Sequence, residues 1–261
     1  MTRRRFYAPP YAFDANLQSV TLATEEARHL RDVLRLKPGD EVYVFNGAGR
    51  EFHCLVEESR RDRAQLKVIS EVDPARPESP LRLTLAVALL KGEKFDLVVQ
   101  KATELGVARL VPIVTKLADI RLRDESDAAK RVGRWQRIAL EAAKQSGRAV
   151  IPEITSPRSF ESLLQNAARN SQSSVATSER NCLLFSERDG QTILQAKETL
   201  TATASSLTAL VGSEGGWTDE EITRARQAGW TIVTLGGRTL RAETAAIAVT
   251  VLLQHIAGDL V

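Results

Sequence analysis

The sequence predicts an α/β protein in which a small β-barrel precedes a domain built on a largely parallel sheet. Three observations lead there. Residues 1–75 read as short strands separated by turn residues. The stretch "DPARPESP" at 73–80 then carries three prolines, a composition that marks a domain boundary. Beyond it, apolar runs of strand length alternate with segments of helical periodicity, the pattern of strand–helix–strand units with parallel strands. The expected domains are therefore 1–75 and 80–261, with 73–80 as linker.

In the first domain the expected strands are "SVTLA" (19–23), "DEVYVFN" (40–46), "REFHCLVEE" (50–58) and "AQLKVISEV" (64–72). One helix, "TEEARHLRDVLRL", interrupts them, with Thr24 as its N-cap and acids in its first turn. In the second domain "LRLTLAVALL" and "ARLVPIVT" read as buried strands, followed by the helices "EKFDLVVQKATELG" and "DAAKRVGRWQRIALEAAKQSG". Three more apolar runs, "NCLLFSE", "LTALVGSEGG" and "TIVTLGG", precede "GQTILQAKETL", "TDEEITRARQAG" and "TAAIAVTVLLQHIAG". The Ser/Asn-rich "NAARNSQSSVATSER" (166–180) reads as a surface connection.

Composition narrows the function classes. No uncharged apolar run approaches the roughly 18 residues that span a bilayer, and "MTRRRFYAPPYAF" lacks the apolar stretch of a signal peptide. Cys54 and Cys182 form no disulfide framework, which fits a reducing cytoplasm. His29, His53 and His255 stand apart from any Cys/His cluster, so no metal is expected. Residues 80–152 hold fourteen Lys/Arg against eight Asp/Glu, while 153–261 hold nine against twelve. Together with Arg3, Arg4 and Arg5, this suits a phosphate-bearing partner, although solvated helix faces give the same excess.

The chemistry concentrates at three strand ends, "LFSERDG", "LVGSEGGWTDEE" and "LGGRTLRAETA". In open α/β sheets, ligands bind where loops converge at the carboxyl ends of strands. Glycines there let backbone groups approach a ligand closely. Taken alone, "GSEGG" reads as a turn: it lacks the Lys-Ser/Thr of a P-loop and the spacing of a dinucleotide fingerprint. The acids that follow at the next helix start, after Thr218 as N-cap, repel a phosphate and suit a neutral or cationic ligand.

The combination says more. "VGSEGG" and "LGGRTLRAETAA", with "LLKGEKFDLVVQKATELGV", "RWQRIALEAAKQSGR" and an N-terminal "RRRFY", resembles the bacterial 16S ribosomal RNA uridine N3-methyltransferase family, within the SPOUT superfamily of knotted methyltransferases. The resemblance runs from Arg5 to Gln254, with the Ser-rich connection around 170–180 outside it. It implies an N-terminal PUA-like β-barrel that holds RNA, a C-terminal SPOUT domain with a deep trefoil knot, S-adenosylmethionine as donor and a homodimer. By motif match the donor is cradled by Leu184, Phe185, Gly212, Glu214, Gly216, Leu235, Gly236, Leu240 and Ala245. Two positions depart: the family usually has Pro where Ser213 stands and often where Gly237 stands.

The sulfonium methyl is already activated, so the enzyme's tasks are alignment and removal of the uridine N3 proton. The resulting negative charge spreads over O2 and O4, and a fixed cation beside them favours the anion. Arg241 suits that role and cannot be the base. Glu243, or else Glu214, receives the proton. A buried Arg241–Glu243 ion pair with a purely structural role is the competing reading. For RNA, Arg3, Arg4 and Arg5 beside Tyr7 offer charge and a stacking ring. Arg31 and Arg35 lie at helical spacing, and Lys91, Lys94, Arg134, Arg137, Lys144 and Arg148 extend a phosphate track. Two rival functions fit the same fold: a catalytically silent RNA-binding assembly factor, and methylation of another RNA position.

Overall fold

The computed structural model describes residues 3–120, 122–170, 181–199 and 205–260. The chain divides into two compact units, one of Met1–Glu78 with Leu140–Ile151, the other of Ser79–Ala139 with Pro152–Val261.

The first unit contains β1 (Arg5–Tyr7), β2 (Ser19–Leu22), α1 (Thr24–Arg28), β3 (Glu41–Phe45), β4 (Glu51–Ser59) and β5 (Ala64–Val72). The five strands form one sheet in the order β1-β3-β4-β5-β2. β1 and β3 run parallel, and the other pairs are antiparallel. Phe6, Leu22, Val44, Phe52 and Leu66, from strand positions that face one side of the pleat, fill its core with Leu30 from the helical segment that follows α1.

Two expectations fail here. Thr24 is the first residue of α1 rather than its cap: the cap position is Ala23, and the Thr24 hydroxyl donates instead to the Asp62 carbonyl at 3.0 Å. The helix also does not continue to Leu36. It changes at His29–Val33 to π-winding, and Arg35 lies beyond its end with φ +56°. Arg31 and Arg35 therefore do not share a regular helical face.

The unit is rich in satisfied charge. Glu51, fully buried, accepts from Arg3 Nη1 at 3.0 Å, from Arg5 Nη2 at 2.9 Å and from the Ala75 amide at 3.1 Å. Arg5 also donates to the carbonyls of Lys144 and Arg148. Arg148 is paired with Glu78 at 2.8 Å, and Glu78 further accepts the amides of Ala149 and Val150. Such groups tolerate burial because nearly every lone pair and proton has a partner.

The second unit runs β6 (Arg82–Ala88), α2 (Lys94–Glu104), β7 (Arg109–Val114), α3 (Glu125–Ser146), β8 (Glu153–Ile154), β9 (Arg158–Ser159) and α4 (Phe160–Asn170). It continues with β10 (Cys182–Phe185), β11 (Gln191–Thr192), α5 (Ile193–Thr199), β12 (Ser206–Val211), α6 (Asp219–Gln227), β13 (Thr231–Thr234) and α7 (Ala242–Ala257). The last turns of α3 count with the first unit. Eight strands make one sheet in the order β11-β13-β10-β12-β6-β7-β8, with β9 also on β7. Every strand pair in it, among the described residues, is parallel.

Helix α4 was not anticipated. Phe160, Leu163 and Leu164 fall at the spacing of one buried helical face, so 166–170 continue a helix rather than open a connection. Residues 171–180 of the expected connection lie outside the described residues. Helix α6 starts as expected, with Thr218 and Glu221 forming a reciprocal capping box. No helix among the described residues is long and apolar enough to cross a membrane.

Candidate functional site

β12, β10 and β13 are neighbours and parallel, with Phe185 level with Val211 on one side and Val233 on the other. Their carboxyl ends therefore leave the sheet together, and the three loops that follow meet. Trp217 Nε1 donates to the Phe185 carbonyl at 2.9 Å, and Arg188 donates to the Trp217 carbonyl at 3.0 Å. The Ser186 amide donates to the Val233 carbonyl at 2.9 Å, and the Gly190 amide to the Thr234 hydroxyl at 3.1 Å. Between these loops lies a cavity of about 280 Å³.

Its walls combine apolar side chains with bare backbone. Phe185, Val211, Leu235, Leu240 and Ala245 line it, as do Gly212, Gly215, Gly216, Gly236 and Gly237. Glycine is required at one of these positions and leaves little room for a side chain at another. Gly216 has φ +69°, and a Cβ there would sit 2.8 Å from Glu187 Oε1. A Cβ on Gly212 would lie 3.0 Å from the Trp217 ring. Gly237 has φ +73°, a value closed to proline, so this loop takes a course that a proline at that position forbids.

Seven residues expected from the motifs plus Phe185 line this one cavity: Gly212, Glu214, Gly216, Leu235, Gly236, Leu240 and Ala245. Leu184 does not. It is fully buried in the core with Leu210, Trp217 and Ile232. Sequence reasoning missed Glu187 and Trp217, which also line the cavity. The signal for Trp217 was its place directly after the glycines; nothing marked Glu187 beyond its position past a strand end.

Arg241 and Glu243 flank the cavity-lining Ala242. The Arg241 main chain begins α7, its carbonyl accepting the Ala245 amide at 2.8 Å, while its side chain makes no capping bond and is exposed. Among the described residues no Arg241–Glu243 ion pair forms. Glu243 is 9% exposed, and its Oε2 has no hydrogen-bond partner among them. The Ser213 hydroxyl, at the cavity, is similarly buried and unpartnered. Unmet polar capacity of this kind is costly unless a ligand or water supplies a partner.

Glu214 is held by Lys94, Nζ to Oε1 2.5 Å. This bond keeps the Glu214 carboxyl below the ordinary carboxylate range and raises the Lys94 ammonium. Lys94 also feels the charges of Glu243 and Arg241, so four ionic groups share this rim.

The residues expected to touch RNA are distributed differently. Arg5 and Arg148 are spent in the ion pairs of the first unit, and Arg3 partly so. Arg31 pairs with its neighbour Asp32 at 2.7 Å, and Lys91 with Asp119 at 2.7 Å. Arg4 and Arg35 are exposed, and Tyr7 packs against Phe45.

Comparison with known proteins agrees with this architecture. Residues 77–254 match the RNA methyltransferase domain, and residues 22–69 match the PUA domain of RNA methyltransferases. Fold and sequence thus define an RNA methyltransferase. The ribosomal RNA small subunit methyltransferase E of a Synechocystis strain is 34% identical over 246 residues, 94% of this chain and 75% of that protein. Its Bacillus subtilis counterpart is 32% identical, covering 87% of this chain and 86% of that one. The crystal structure of the Neisseria gonorrhoeae enzyme bound to S-adenosylmethionine superposes with a TM-score of 0.83 at 31% identity, covering 100% of both chains. The chain belongs to the ribosomal RNA small subunit methyltransferase E family.

Proposed function

We propose that this protein transfers a methyl group from S-adenosylmethionine to N3 of a uridine in the 16S ribosomal RNA of the small ribosomal subunit, as a cytoplasmic homodimer. The observation that carries this reading is the convergence of three glycine-bearing strand ends on one cavity beside an exposed guanidinium.

The cavity fits such a donor. Phe185, Leu235, Leu240 and Ala245 offer apolar walls to a purine, Gly212, Gly216 and Gly236 admit close backbone contact, and the acids suit a cation. When bound, the donor supplies an electrophilic methyl group. The protein's own residues do the rest. Arg241 faces the negative charge that develops on the uridine O2 and O4, a stabilisation that needs a cation with no competing partner. Glu243 takes the N3 proton, its Oε2 being free of other donors among the described residues. Glu214 is less suited, because its direct bond to Lys94 lowers its carboxyl and makes it a weaker proton acceptor.

RNA contact falls to the exposed bases Arg4 and Arg35, with Arg31 and Lys91 released from exposed pairs that are worth little in water. The dimer reading is supported by α7, which leaves Val251 38% exposed.

The direct test incubates the purified protein with small-subunit ribosomal RNA, free and assembled, and methyl-labelled donor, then identifies the labelled nucleoside by mass spectrometry. N3-methyluridine is the expected product. Label on a ribose or another base, or no transfer to any of these substrates, contradicts the proposal.

A further inference from the structure

Two carboxylates line the cavity, and the protein treats them differently. Glu214 is neutralised by Lys94 at 2.5 Å. Among the described residues Glu187 has only Arg188 within ion-pair reach, at 4.0 Å from its Nε. That guanidinium is already committed to Asp219 at 2.8 Å and to the Trp217 carbonyl at 3.0 Å. The Glu187 carboxylate lies directly against Gly216, with Oε1 and Oε2 2.8 and 3.2 Å from where a Cβ on that residue would be. The cavity thus presents one carboxylate whose charge the protein leaves largely uncancelled. The other charged lining residue, Arg238, stands on the third loop and makes no ion pair among the described residues.

Resting on the methyl-transfer reading above, we propose that Glu187 recognises the sulfonium charge of the donor and so makes the cavity distinguish donor from spent product. In the transfer, the N3 electron pair forms the new C–N bond and the N3 proton passes to the carboxylate acceptor. The C–S bonding pair stays on sulfur, so a sulfonium cation becomes a neutral thioether. The bound ligand loses one positive charge while its shape is otherwise kept. A fixed anion at the cavity wall holds the first form more tightly than the second and favours release of the second. Lys94 is part of this device, because it cancels Glu214 and leaves Glu187 as the group that reads the charge.

The test is calorimetric titration of wild type, Glu187→Gln and Glu187→Asp with S-adenosylmethionine and with S-adenosylhomocysteine at low salt, alongside thermal unfolding of each variant. For Glu187→Gln, a solvent-facing isostere, the preference for donor over product should narrow by about fivefold, with product affinity changed less than about twofold. Glu187→Asp should restore much of the preference, and added salt should shrink it in wild type. Equal weakening of both ligands assigns Glu187 to the ammonium group that both carry and overturns the proposal. An unchanged preference overturns it too. If wild-type protein binds neither ligand, the methyl-transfer reading itself fails, a result distinct from either of these.

Discussion

Glu51 and Glu243 are both buried carboxylates in this chain, and what surrounds them is opposite. Glu51 is met by two guanidinium groups and a backbone amide, and both of its oxygens are used. Glu243 has an oxygen with no donor among the described residues, and the neighbouring Arg241 stays exposed rather than pairing with it. The same contrast separates their surroundings. Arg3, Arg5 and Arg148 of the first unit are spent on Glu51, Glu78 and main-chain carbonyls, whereas the strand-end loops keep open glycines and an orphaned Ser213 hydroxyl. Saturated charge holds structure together. Charge and hydrogen-bonding capacity left unspent mark where something else binds.

The comparison can be broken from either side. The largest effect is expected at the saturated end. Glu51→Ala strands Arg5 in a buried setting and should cost the first unit about 3–5 kcal/mol, seen as an early unfolding transition in denaturant titration. A loss below about 1 kcal/mol would mean that the network is dispensable. Gly216→Ala comes next. The added methyl meets the Glu187 carboxylate and a backbone conformation that costs about 1–3 kcal/mol for non-glycine residues. Donor affinity should fall roughly tenfold or more with the second unit still folded, as read by calorimetry and circular dichroism.

The smallest effect concerns Lys94 and Glu214. A carboxyl lowered in the folded state contributes above its ordinary pKa, and the contribution fades only as pH drops through the lowered value. The small loss of stability in Lys94→Met, read by thermal unfolding, should therefore be the same at pH 7 and pH 5. A loss that disappears by pH 5 would show that Glu214 is not held ionised by this bond.

Much of this was legible in the sequence, for identifiable reasons. Buried parallel strands read as continuous apolar runs, so β6, β7, β10, β12 and β13 were recognisable, and Thr218 followed by three acids announced the start of α6. The glycine-bearing strand ends could be placed together because parallel neighbours end on one side of a sheet. What stayed hidden depended on tertiary partners. Nothing local tells that Arg5 and Arg148 are consumed by Glu51 and Glu78, that Thr24 bonds to Asp62 instead of capping, or that Leu184 turns into the core. Glu187 was illegible as a site residue, and Lys94 was legible only as part of a phosphate track, for the same cause: their partners come from chain segments far away in sequence.

The central claim is that an unspent guanidinium at Arg241 serves the ionised pyrimidine while the neighbouring cavity holds the donor. Arg241→Ala, assayed for methyl transfer to small-subunit RNA and titrated with S-adenosylmethionine in parallel, tests it most directly. Transfer should fall by roughly a hundredfold or more, with donor affinity within about threefold of wild type. Equal loss of both would make Arg241 a structural residue of the loop, and undiminished transfer would leave the uridine anion without its proposed stabiliser.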